Sequence, residues 1–145
     1  MIKQDVKFND AFTGEEKNAT LYFNMNEWEF TKFLAKYDNE LDIKNYLDKV
    51  TASGSNLTAM DFIEDLILSS YGIRTESNDF VKTKDTTEAF KYSNAFAAFA
   101  YELFKSQDSL NNFVMNIVSP LDKNKLEEVK RQYKAQLAAK ESSEN

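Results

Sequence analysis

The 145-residue chain has no cysteine, no histidine, one proline, three glycines and one tryptophan. Without cysteine there is no disulfide and no thiol nucleophile. Without histidine there is no imidazole acid–base pair, and no zinc site of nitrogen and sulfur ligands. Catalysis would be left to carboxylates and hydroxyls. So few glycines and prolines cannot supply the turns of a β-sandwich or barrel, nor a glycine-rich phosphate loop. No stretch approaches the ~18 apolar residues of a membrane span, and the opening MIKQDVKFND lacks the apolar run of a signal peptide. These absences predict no catalytic, cofactor-binding or metal-ligating residues, no membrane partner and a reducing compartment.

What is present is apolar and aromatic. Hydrophobic residues make up 42%, with 12 Phe and 7 Tyr, enough for one domain to build a core without staples. Acids outnumber bases by 24 to 18, and a net charge of −6 argues against a nucleic-acid partner, which needs a basic surface. Residues 121–145 hold six bases against five acids, which leaves −7 on the first 120. The predicted class is mainly α: one helical domain over 1–120 with a small N-terminal β hairpin at about 2–25, then a charged helical extension over 121–145 with a disordered end.

In the hairpin, IKQDVKF alternates and ATLYFNM is rich in β-forming residues, with TGEEKN between them. Asn26 is a candidate N-cap, followed by Phe30, Phe33, Leu34 and Tyr37 at helical spacing. Trp28 falls on the opposite side, where it covers the hairpin or sits at an interface. A second helix near 42–52 carries Ile43, Tyr46, Leu47 and Val50, and Gly54 marks its left-handed stop. A third, from about Thr58 to Tyr71, starts on Thr58 with Asp61 and shows an unusually wide apolar arc. Gly72 then reads as its C-cap, and IRTESNDFVKT as a surface connection with short β pairing, Phe80 and Val81 anchoring it.

The periodicity predicts one long helix over about 85–106. Tyr92, Phe96, Phe99 and Leu103 line one edge and Phe90, Ala97, Tyr101 and Phe104 the other. Core packing is the ordinary reading of this stripe; a groove for an apolar helix is the other, and the two are compatible. Asp108 reads as the N-cap of a helix bearing Leu110, Phe113, Val114 and Ile117, which Pro120 stops. The last helix has a thin stripe, Leu126, Val129, Tyr133 and Leu137, suited to a partner. Seven acids in residues 38–65 (Asp38, Glu40, Asp42, Asp48, Asp61, Glu64, Asp65) face two lysines, the ordinary look of a solvated surface or a patch for a basic partner.

One block resembles a known family. Tyr71, Gly72, Ile73 and Arg74 follow an apolar helix; Phe80 and Lys82 come after a polar turn; Glu88, Phe90, Ser93 and Ala95 follow; Glu102, Leu103, Phe113, Val118 and Pro120 close it. This pattern over about 60–120 resembles the tail assembly chaperones of long-tailed bacteriophages, with one departure: TESND lacks the glycine often found in that turn. The resemblance implies a non-enzymatic protein of the host bacterial cytoplasm, absent from the mature virion. It would bind and solubilise the tape measure protein, help recruit the major tail protein, and self-associate. The surfaces expected to meet partners are Trp28, Phe96, Phe99, Phe104, Phe113, Val114, Ile117, Val118 and the Leu126, Val129, Tyr133, Leu137 stripe. Two other readings stay open: a head–tail adaptor or completion protein retained in the particle, and a small acidic adaptor or inhibitor of a host protein.

Overall fold

A computed structural model describes residues 1–37 and 43–117, with residues 128, 131, 132, 134–136, 138 and 139 of the C-terminal segment. The architecture is mainly α, with one small antiparallel sheet. Contacts divide it into two compact units: Met1–Met25 with Asn56–Ser119, and Asn26–Ser55 with the described C-terminal residues.

The first unit is built on the sheet. Strands β1 (Ile2–Asn9) and β2 (Glu16–Phe23) pair antiparallel over their full length, from Ile2 opposite Phe23 to Asn9 opposite Glu16. The connection is therefore residues 10–15, and the Glu16–Asn18 part of the expected loop is strand. β3 (Tyr71–Arg74) pairs with β2, and β4 (Phe80–Val81) with β3, giving the order β1-β2-β3-β4. The polar stretch that interrupts the helices is thus the second hairpin of the sheet. Its turn needs a left-handed residue, and Asn78 supplies it at φ 66° while its Oδ1 accepts from Arg74 Nε at 3.0 Å. A side-chain amide does here what glycine does elsewhere.

Gly72 departs from its expected role. Helix α3 (Asn56–Ser70) begins two residues before Thr58 and ends one residue before Tyr71, where the chain passes straight into β3. Ser70 is fully buried, and its hydroxyl donates to Leu66 O at 2.7 Å or Ile67 O at 3.1 Å. Gly72 is not in the left-handed region; it is a strand residue against which the Phe80 ring lies so closely that a Cβ would overlap it. Glycine is required there for proximity, not for φ.

The expected helix over 85–106 is two: α4 (Lys84–Lys91) and α5 (Asn94–Lys105). Ser93 separates them because its hydroxyl both donates to Phe90 O at 2.7 Å and accepts from Phe96 N at 3.1 Å, closing one helix and capping the next. The apolar period runs through this break, so periodicity alone misses it. Ser93→Ala should cost about 1 kcal/mol, read as a lower urea midpoint at unchanged m; no shift would mean the break is held by packing alone. At α6 (Gln107–Asn116) the N-cap is Ser106, whose hydroxyl accepts from Ser109 N, and Asp108 lies in the first turn instead.

The core of this unit is an aromatic cluster. Phe23, fully buried, stacks on Phe99 at 5.0 Å between ring centroids and meets Phe113 edge-on at 5.2 Å. Tyr71 and Phe90 flank it, stacked on each other at 3.9 Å. Burial raises the Tyr71 phenol above its ordinary pKa.

In the second unit, α1 (Glu27–Tyr37) opens on Asn26, which forms a reciprocal cap with Glu29: Glu29 N donates to Asn26 Oδ1 at 2.8 Å, and Asn26 N to Glu29 Oε1 at 3.2 Å. α1 buries Phe30, Phe33 and Leu34. It packs on α2 (Ile43–Ser53), with Tyr37 and Tyr46 5.2 Å apart. Gly54 at φ 67° ends α2 as expected. The described C-terminal residues are helical and exposed. Asp38, Glu40, Asp42 and Pro120 lie outside the described residues.

Candidate functional site

α3 and α5 pack side by side, and their outer surfaces do not close over one another. Between them runs an apolar groove of about 190 Å³, lined by Met60, Ile63 and Glu64 from α3 and by Phe96, Ala97, Ala100, Tyr101 and Phe104 from α5. Its form follows from spacing. Residues 96, 97, 100, 101 and 104 repeat at three and four along one helical face. Alanines at 97 and 100 keep the floor low between aromatic walls, and Ile63, only 3% exposed, completes it. The rims are open: Met60 is 47% exposed, Tyr101 58% and Phe104 37%. Leu57, one turn before Met60, is exposed too and prolongs the same stripe.

Charge sits only at the margins. Glu64 pairs with Lys91 of α4 at 3.6 Å, and the Lys105 ammonium lies 5.6 Å from the centre of the Tyr101 ring. Among the described residues no group of Asp and Glu is arranged to hold a metal ion. The groove offers apolar contact with polar edges, which is the equipment for receiving an apolar side chain or helix face. Two other clefts are mixed in polarity: one is lined by Lys7, Asn9, Glu16 and Asn94 beside Phe8, the other by Gln4, Glu102, Ser109 and Asn112 beside Phe113.

The residues singled out as contact surfaces fall into four groups. Phe96 and Phe104 line the groove. Trp28, 76% exposed, stands on the outer face of α1. Phe99, Phe113, Val114 and Ile117 are buried and belong to the core, and α5 and α6 turn Phe99 and Phe113 onto Phe23. The exposed positions of α6 are Gln107, Asp108, Asn111, Asn112, Met115 and Asn116. Val118, Leu126, Val129, Tyr133 and Leu137 lie outside the described residues. Sequence reasoning missed Met60, Ile63 and Ala100 as lining residues; the available signal was a pair of alanines spaced three apart inside an aromatic run.

The model of one protein family, described as phage tail assembly chaperone, matches residues 1–145, the whole chain. The chain belongs to the phage tail assembly chaperone family. No curated protein and no solved structure gives a significant match.

In this chaperone the residues that carry the family resemblance mostly build the scaffold. Lys82 Nζ donates to Ser69 O at 2.9 Å and lies 5.9 Å from the Phe80 ring centre, tying the end of α3 to β4. Phe90, Ala95, Leu103 and Phe113 are core, and Ser93 is the cap between α4 and α5. Glu102 is exposed; Val118 and Pro120 lie outside the described residues. Among the described residues no helix is long and apolar enough to cross a membrane.

Proposed function

We propose that this chaperone holds the tape measure protein in a helix-in-groove complex, taking the apolar face of a tape measure helix between α3 and α5. It then yields that helix as the major tail protein assembles around it. The observation that carries the reading is the open, aromatic-walled groove with its alanine floor. A long helical client presents apolar side chains at i, i+3, i+4 and i+7, and such a face needs a strip that excludes water without a rigid pocket for each residue. Several copies along one client would add by avidity, since each further contact becomes intramolecular. The protein would act in the host cytoplasm and be absent from finished particles.

Co-expression with the tape measure protein of its phage, read by size-exclusion chromatography with light scattering, tests this. The wild type should carry the client into a soluble multi-copy complex that survives high salt, because the contact is apolar. Tyr101→Ser with Phe104→Ser should weaken capture roughly tenfold, the order expected for aromatic anchors, whereas Asn111→Glu on α6 should leave it unchanged. Precipitation of the client beside an unchanged chaperone peak would end the proposal. A complex dissolved by salt would point instead to the acidic surface. Mass spectrometry of purified virions separates a departing chaperone from a retained head–tail adaptor.

A further inference from the structure

The sheet ends on β1, and the alternation of its ladder fixes which backbone groups point out of it. Asp10 N donates to Glu15 O at 2.8 Å, one step beyond the pair of Asn9 and Glu16. Asn24 N donates to Ser70 O at 2.8 Å on the β3 side of β2. In an antiparallel pair, hydrogen-bonded and non-hydrogen-bonded positions alternate, and both bonds set the same phase. Ile2, Gln4, Val6 and Phe8 bond to β2, while Lys3, Asp5, Lys7 and Asn9 turn their N–H and C=O groups outward. Two of those carbonyls already carry a side-chain amide: Asn94 Nδ2 of α5 donates to Asn9 O at 2.8 Å, and Gln4 Nε2 to Asp5 O at 3.2 Å. The carbonyls of Lys3 and Lys7 have no partner among the described residues.

With 8 residues in unbroken register, β1 is a long edge, and an open edge is a template for another strand. Its charge decides which strand. Lys3 and Lys7 are exposed on the same outer face, and neither has a carboxylate partner among the described residues. Asp5 between them is turned across the hairpin, its Oδ1 accepting from the Thr20 hydroxyl at 2.8 Å. The edge is therefore basic on a chain whose first 120 residues carry −7. A second copy in the full-length antiparallel register would set Asp5 against Asp5 and lysine against lysine, which is unfavourable. A strand with acids four residues apart would meet both lysines. On the inner face two clefts open between β1 and α5, about 280 Å³ beside Ile2 and Gln4 and about 410 Å³ beside Phe8 and Asn9. Side chains alternate along an added strand, so those between its acids point to that inner face.

We infer that β1 takes an extended segment of another protein as a further strand of the sheet, one with Glu or Asp at positions i and i+4 opposite Lys3 and Lys7 and small or apolar side chains between them. The outward main-chain groups of Lys3 and Lys7 supply the attachment, and the two charges and the clefts supply register and choice. The Gln4 amide on Asp5 O is a side-chain bond at an exposed position, which an incoming N–H can replace. The edge is separate from the α3–α5 groove, and the inference does not rest on a client helix lying there.

The probe is the capped heptapeptide Val-Glu-Val-Thr-Val-Glu-Val, which reads the same in either direction, titrated into the isotope-labelled full chain and followed by NMR. It should bind with a Kd of about 100 μM, the weak range of a small transient contact. The amide protons of Lys3, Asp5 and Lys7 should exchange fast in the free protein and become protected by the peptide, while those of Gln4, Val6 and Phe8 stay slow throughout. Lys7→Pro removes an outward N–H and no ladder bond, a place where an edge strand tolerates proline, and should weaken binding at least about tenfold. Lys3→Glu with Lys7→Glu should also weaken it about tenfold. The heptapeptide with Lys in place of Glu should then bind that variant as the original binds the wild type. Failure of about 1 mM peptide to protect Lys3, Asp5 and Lys7 would overturn the inference. So would binding indifferent to the exchange of charges. Dimerisation of the wild type that Lys7→Pro abolishes would assign the edge to a second copy and overturn it as well.

Discussion

Phe23→Ala should cost about 3–5 kcal/mol of stability, the range for removing a buried aromatic from a packed core. For a chain of this length that is a fall in Tm of roughly 10 °C or more. The residue is fully buried at the end of β2, opposite Tyr71, and its ring touches Phe90, Phe99 and Phe113 as well. Those partners come from β3, α4, α5 and α6, so four elements lose a common neighbour at once. Phe23→Leu keeps most of the apolar area and should recover about half of the loss, the remainder being ring geometry and residual cavity. Urea unfolding of the three proteins reads this directly. A cost below about 1 kcal/mol for the alanine variant would mean the cluster can collapse into the space, and the hub assignment would be wrong.

The second large effect is expected at Gly72. Gly72→Val should destabilise by about 3 kcal/mol and Gly72→Ala by about 1–2, from overpacking against Phe80. The backbone there is not left-handed, so in open space either substitution would be neutral or mildly favourable in a strand. This fixes the control. On a Phe80→Ala background the cost of Gly72→Ala should fall below about 0.5 kcal/mol, giving a coupling energy of about 1 kcal/mol in a double-mutant cycle. An alanine cost that stays the same on both backgrounds would locate the strain in the backbone and return Gly72 to a conformational role.

Both residues illustrate what could be read in advance. The helical stripes were legible because burial imposes a period of 3.6 whatever lies opposite, and Asn26 and Gly54 were legible because caps answer to local hydrogen bonding. The break at Ser93 was not, since Tyr92 and Phe96 continue the apolar period across it and a single hydroxyl decides the outcome. Gly72 was misjudged because its reason is a ring eight residues away. The turn at TESND lacks the glycine often found there, and Asn78 takes the left-handed position in its place. For the groove, the aromatic run predicted more apolar surface than one face can bury. Which side stays open depends on β1, α3 and α6, so Phe99 became core while Tyr101, two positions on, became rim. Alanines contribute little to any hydrophobic pattern, yet they shape the floor.

The direct passage of α3 into β3 has a mechanical consequence for the groove. One wall is a helix whose C-terminal end is welded into the sheet: Ser70 O accepts from Asn24 N at 2.8 Å, and the next residue is already paired with Phe23. At the far end stand Leu57 and Met60, both exposed. Deformation under load should therefore grow from the Ile67 end toward the Met60 end, as in a cantilever clamped at one side. Amide hydrogen exchange along α3 should grade in the same direction, fastest near Leu57 and slowest near Ser70. A client helix would then find the compliant lip first and the stiff one last, so that the cleft adjusts its width at its entrance while the sheet keeps its seat fixed.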